Sequence, residues 1–343
     1  MPQGYPPPMQ NGQPLPAYAQ PQKKGSRGML RLTVILLLLL LVLGTSGFFV
    51  FKYVSSRGNS GKSNTTTSTS SSVKTIPVKT TPINATVTYA SVDVTILNAQ
   101  QATSFADDSN TTTPGVVRLN IHAVQTGVDD TNGGSTIDPY YDYPSSFALI
   151  LPDGSKVSPV GEKEASGPTK KGNQTTWVDF PVPSTINVNQ LTLQIGKDTE
   201  AQMDIPLTGN ADLSQYQSRQ VSPNTSVQYA DMTWTLTTAT ARLSDSGAQA
   251  DKGKRFITLS LKIDNSSSRN LSAYPPDYIR LQFGGTSIVE NGDTLPTPAA
   301  GTSNATGLVS FLVPQEDTTF TLVLLPNGVT GATSQATIPF QIP

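Results

Sequence analysis

Val87-Thr88-Tyr89-Ala90-Ser91-Val92-Asp93-Val94-Thr95-Ile96 returns later in the chain as Val227-Gln228-Tyr229-Ala230-Asp231-Met232-Thr233-Trp234-Thr235-Leu236. In each copy a Tyr-Ala pair precedes a stretch where apolar and polar residues alternate. Val92, Val94 and Ile96 stand against Asp93 and Thr95, and Met232, Trp234 and Leu236 against Thr233 and Thr235. Successive side chains of a strand point to opposite faces, so this alternation describes a strand with one buried face. An internal repeat of such strands sets the architecture of the whole chain.

Working outward, the same register matches Val117, Leu119, Ile121 and Ala123 to Ile257, Leu259, Leu261 and Ile263. It then shifts, the first half carrying extra residues. Phe147-Ala148-Leu149 matches Tyr278-Ile279-Arg280, and Trp177-Val178-Asp179-Phe180-Pro181-Val182-Pro183 matches Leu308-Val309-Ser310-Phe311-Leu312-Val313-Pro314. Leu191, Leu193 and Ile195 beside Phe320, Leu322 and Leu324, then Ile205-Pro206-Leu207 beside Ile338-Pro339-Phe340, close each half. Gly, Pro, Asn and Asp punctuate the segments, and no amphipathic helix interrupts them. The expected fold class is all-β: two tandem antiparallel sandwiches of about seven strands each. They span 83–208 and 226–343, with a linker over 209–225. One apolar face per strand requires a second sheet to cover it.

Upstream, Leu32 to Phe51 (LTVILLLLLLVLGTSGFFVF) carries no charge. A helix of ~20 apolar residues crosses a hydrocarbon core of about 30 Å, so residues 29–54 are expected to form a transmembrane helix. A cleaved signal peptide has a shorter apolar region and a small-residue cleavage site. Lys23, Lys24, Arg27 and Arg31 before the segment outweigh Lys52, Arg57 and Lys62 after it, which predicts a cytoplasmic N-terminus in a single-pass plasma membrane protein. Residues 1–28, rich in Pro and Gln, are expected to be a disordered tail. Residues 55–82, rich in Ser and Thr, are expected to be an extended stalk.

The chain has 343 residues, a net charge of -1 with 14% charged residues, no cysteine and one histidine. That charge gives no basic field to concentrate nucleic acid. The missing cysteine removes disulfides, thiolate zinc sites, a Cys nucleophile and a lipid-bearing cysteine. His122 lies between inward Ile121 and Ala123, so it points outward, and Lys262 replaces it in the second half. A Ser-His-Asp triad is not expected there. Gly133-Gly134 and Gly284-Gly285 fall in turns, not in a phosphate-binding strand-to-helix loop. Asp107-Asp108 is expected to be a solvent loop. The triplets at Asn64, Asn110, Asn173 and Asn304 match the glycosylation pattern by composition.

RFITLSLKIDNSSS (255–268), PPDYIRLQ (275–282), GLVSFLVP (307–314) and TFTLVLLP (319–326) resemble the telokin-like, immunoglobulin-like extracytoplasmic domains of unknown function in bacterial membrane-anchored surface proteins. The resemblance covers Val227 to Ile342 directly. It reaches Val87 to Leu207 through the repeat, where WVDFPVP (177–183) stands in place of the glycine-led motif. It implies immunoglobulin-like sandwiches outside the cytoplasm, and it carries no catalytic residues over.

The connection Asp129 to Tyr143 stands out. Asp129, Asp130, Asn132, Asp138 and Asp142 supply the hard oxygens that calcium takes, although the spacing fails the EF-hand pattern and turn chemistry explains the same residues. Tyr140, Tyr141 and Tyr143 have the composition of a partner-binding loop; packing as a local lid is the alternative. No other cofactor is expected. The expected function is a non-enzymatic interaction or adhesion module of the cell envelope, with the membrane as one partner and a protein or glycan as the other. An envelope-polymer hydrolase with a carboxylate pair, or a structural spacer, are the alternatives.

Overall fold

The alternating segments do form strands. A computed structural model describes residues 77–107, 115–126, 143–164, 168 and 172–343. In the first half, β1 (Lys79–Tyr89), β2 (Val92–Ala102), β3 (Val116–Gln125), β4 (Phe147–Ile150), β5 (Lys156–Val157), β6 (Gly161–Glu162), β7 (Asn173–Pro181), β8 (Thr192–Ile195) and β9 (Met203–Pro206) build two sheets, ordered β1-β2-β3-β7-β6 and β5-β4-β8-β9. In the second half come β10 (Arg219–Val221), β11 (Thr225–Tyr229), β12 (Met232–Arg242), β13 (Ser244–Asp245), β14 (Ala248–Gln249), β15 (Lys254–Asp264), β16 (Ile279–Phe283), β17 (Thr286–Ile288), β18 (Gly292–Asp293), β19 (Ala305–Pro314), β20 (Thr319–Leu324) and β21 (Ala336–Gln341). There β11-β12-β15-β19-β18 and β17-β16-β20-β21 repeat the first arrangement, with β10 also paired to β12 and β13 paired to β14. Every named pairing is antiparallel.

Each half buries its inward residues between its two sheets. Val94, Leu119 and Phe180 meet Phe147, Leu193 and Ile205 in the first core, and Trp234, Leu259 and Phe311 meet Leu281, Leu322 and Ile338 in the second. In the second core Trp234 lies edge-on to Tyr229 and Tyr278, which stack on each other with centroids 6.1 Å apart. Trp234 has no solvent exposure.

The same register shift occurs in both halves, between Ile96 and Asn98 and between Leu236 and Thr238. A bulge inserts one residue, so the inward phase moves from Ile96 to Ala99 and from Leu236 to Ala239. The Thr237 hydroxyl closes the second bulge by donating to Ser260 O at 2.9 Å. Each first hairpin turns on two left-handed residues, Ala90 and Ser91 (φ 48° and 62°) and Ala230 and Asp231 (φ 55° and 60°). Gly307, which opens the GLVSFLVP strand, is a close approach: a Cβ there would lie 2.7 Å from Leu295 Cα.

The described residues belong to one compact unit, Lys74–Pro343. Where the sequence suggests a linker over 209–225, the chain carries a 3-10 turn at Ser214–Tyr216 and the strand β10, with β11 starting at its last residue. Leu213 is buried in the first core, with Ala211 and Tyr216 packed beside it. Among the described residues no helix is long and apolar enough to cross a membrane. Residues 1–76, including the segment expected to span the bilayer, lie outside the description.

Candidate functional site

β12 separates two ends of the second sandwich. One end carries the β13–β14 hairpin; the other carries the Ala230-Asp231 turn and the connections 265–278, 298–304 and 325–335. At this second end the chain is held without regular structure. Asn265, 1% exposed, is the hub. Its amide nitrogen is shared among the carbonyls of Arg269, Pro298 and Ala299 at 2.7, 3.1 and 3.0 Å. Its carbonyl oxygen accepts from the Ser267 backbone N–H and hydroxyl at 3.0 and 2.7 Å.

Further bonds tie the two connections together. Asn265 N–H donates to Thr302 O, Gly301 N–H to Ser267 O, and Leu271 N–H to Pro298 O. Ala300 N–H donates to Asn270 Oδ1 and Asn304 N–H to Asp264 Oδ1. The amide of Asn304, and then Lys262, hold the Asp264 carboxyl below its usual range. Arg269 pairs with Asp231, and Gly331 sits against both: a Cβ there would come within 2.8 Å of the Arg269 guanidinium. Loops fixed in this way meet a ligand without first paying ordering entropy.

From this platform Tyr274 projects, 66% exposed. It precedes the helical turn Pro275–Tyr278, whose first position suits proline. Tyr143 is itself the first residue of the turn Tyr143–Ser146, so the two Tyr-Pro pairs fall one position apart when the strands that follow, with Leu149 matched to Leu281, are aligned. A Tyr-Pro dipeptide stands at both places in the sequence, though only the first lies within the acidic, tyrosine-rich connection. Asp129, Asp130, Asn132, Asp138, Tyr140, Tyr141 and Asp142 lie outside the described residues, as does the side chain of Tyr143. Their connection springs from Thr126, which donates to Ser91 O at 3.0 Å, and returns at Ser146, which accepts from the Tyr89 hydroxyl at 3.3 Å. Among the described residues no group of three His, Cys, Asp or Glu could hold a metal ion.

A second cluster covers the outer face of the first sandwich. Arg118 on β3 makes two bonds to Asp179 on β7, both 2.8 Å, and two to Asp107 at 3.1 and 2.9 Å. The guanidinium carbon lies 3.7 Å from the centroid of Trp177 and 4.1 Å from that of Phe105. Burial works to lower the Arg118 pKa, but hydrogen bonds from Asp179 and Asp107 raise it overall. The Arg118 hydrogen bond lowers that of Asp107. Asp107 is thus an ion-pair partner as well as a loop residue, and its shift is opposite to that of a general acid. Sequence reading passed over Arg118, which occupies an ordinary outward position of an alternating strand. His122 does face outward and meets Thr175 at 3.2 Å.

One carboxyl shifts the other way. Glu290 is raised by burial, then by Asp293 and Asp277, and its Oε2 is buried without a partner.

No family model matches the chain, and no curated protein matches it. Among solved structures, one described as the crystal structure of the conserved domain protein from Bacillus anthracis is similar over 77% of this chain and 90% of its own. The identity is 8% and the TM-score 0.22, values too low to bear on fold or role.

Proposed function

We propose that this chain is a non-enzymatic, membrane-anchored extracytoplasmic protein whose two immunoglobulin-like sandwiches act as an interaction or adhesion module of the cell envelope. The observation that carries the proposal is Tyr274, two-thirds exposed on loops locked by the buried Asn265. Tyrosine offers a large amphipathic contact at low entropy cost, and Ser, Gly and Asn around it supply hydrogen bonds. The partner class is a neutral polar surface, protein or glycan, since the loops around Tyr274 carry few charges.

The test is retention of purified protein on whole cells and on isolated envelope polymers, wild type against Tyr274→Ser. Loss of retention with unchanged melting supports the platform. Equal retention by both proteins removes it, and no retention by either favours the spacer alternative.

A further inference from the structure

The β13–β14 hairpin joins β12 to β15, two core strands of the second sandwich, and its outer edge touches the first. We infer that it is a latch holding the two sandwiches in one fixed orientation, and that Asp245 is the residue that positions it.

On the first sandwich the hairpin meets the left-handed turn. Ser91 N–H donates to Ser244 Oγ at 2.8 Å, and Gly247 N–H donates back to Ser91 Oγ at 2.9 Å. Ala90 N–H reaches Gln249 Oε1 at 3.3 Å, while Gln249 Nε2 donates to Ala201 O at 2.8 Å. Main chain continues the contact: Ala201 N–H donates to Ala250 O at 2.7 Å and Lys252 N–H to Thr199 O at 2.9 Å. A small core of Ala201, Ala250 and Phe256, with Leu243 and Leu312 beside it, fills the space beneath. Tyr89 completes the first side by donating to Glu200 Oε2 at 2.7 Å.

A hairpin of two-residue strands is not stable alone, so its position must be imposed from below. Asp245 does this. It is 5% exposed and accepts from Arg242 and Ser246 on one oxygen and from Thr258 and Ser310 on the other. Thr258 and Ser310 belong to β15 and β19, the central strands of the sheet. The carboxylate therefore ties the hairpin base to the two central strands of the second sandwich. The first sandwich has Phe105 at the matching position, and there Arg118 and Asp179 occupy the places of Thr258 and Ser310. The residue matching Asp245 in the first half is thus not a carboxylate.

The chain lacks cysteine, so Ser158→Cys and Ser287→Cys, both at exposed positions, give one spin label per sandwich in the full chain. Pulsed electron spin resonance of the full chain in lipid nanodiscs should show one narrow distance peak. Asp245→Ala should lose that peak, and Asp245→Asn, which keeps an acceptor oxygen for the two hydroxyls, should restore it. Ser244→Ala with Gln249→Ala leaves the Asp245 network intact and should lose the peak as well, which covers the case in which Asp245→Ala fails to fold. A broad distribution in the unsubstituted background, or a narrow peak in the Ser244/Gln249 variant, overturns the latch.

Discussion

Arg118 keeps its charge within the outer layer of the first sandwich because two carboxylates and two aromatic faces surround it. Its side chain is 8% exposed and that of Asp179 3%, so Asp179→Ala removes the buried carboxylate and leaves the cation to Asp107, which is 53% exposed. The expected loss is about 1.5–3 kcal/mol in denaturant unfolding, the size of hydrogen bonds to a charged group. Replacing both residues by apolar ones should cost less, because the charge then left without Arg118 is Asp107, which is half-exposed to water. Asp107, lowered by Arg118, stabilises the fold above the ordinary aspartate pKa; that contribution disappears as pH falls through its depressed folded value. Acid unfolding of Asp107→Asn should therefore diverge from wild type at neutral pH and converge with it in strong acid. Glu290 has the reverse sign: raised by burial, it favours the fold below the ordinary glutamate pKa and loses that contribution as pH rises through its folded value. Glu290→Gln should raise the melting temperature at pH 7 and not at pH 3. None of these roles was legible in the sequence. An alternating strand announces that Arg118 points outward, but not that Trp177 and Phe105 cover it there.

At the scale of elements, the alternation of Val92 to Ile96 and of Met232 to Leu236 was sufficient to place the first strands and their inward faces. It stopped working at the bulges, since an inserted residue reverses the phase and leaves Ala99 and Ala239 inward where a strict period of two puts them out. The 209–225 segment misled for a related reason. Leu213 and Tyr216 are too sparse to form a periodic pattern, yet they complete the first core from outside its strands. Leu213→Ala should accordingly lower the stability of the first sandwich by about 2 kcal/mol or more in chemical denaturation, the effect of a core residue and not of a linker. The glycine-led motif has a steric explanation that spacing alone could not supply. Gly307 runs against the Leu295 backbone, whereas its counterpart Thr176 is buried in the first half with its hydroxyl unpartnered.

For the whole molecule, the repeat read from two short stretches extends to the order of strands in both pairs of sheets. The candidate site was half legible: Tyr143 was singled out by composition, and the exposed Tyr274 carries the same Tyr-Pro dipeptide one position out of register with it. What the sequence could not indicate was the coupling of the two halves, because the hairpin and the turn it meets are about 150 residues apart and neither carries a pattern linked to the other. Display of these sandwiches outside the cytoplasm by a membrane anchor, as proposed, can be tested with one substitution because the chain has no cysteine. Ser272→Cys, at an exposed position two residues before Tyr274, should react with a membrane-impermeant maleimide on intact cells expressing the full chain, and the labelled protein should sediment with the membranes. Labelling only after lysis, or a labelled chain free of the membrane fraction, would contradict the account.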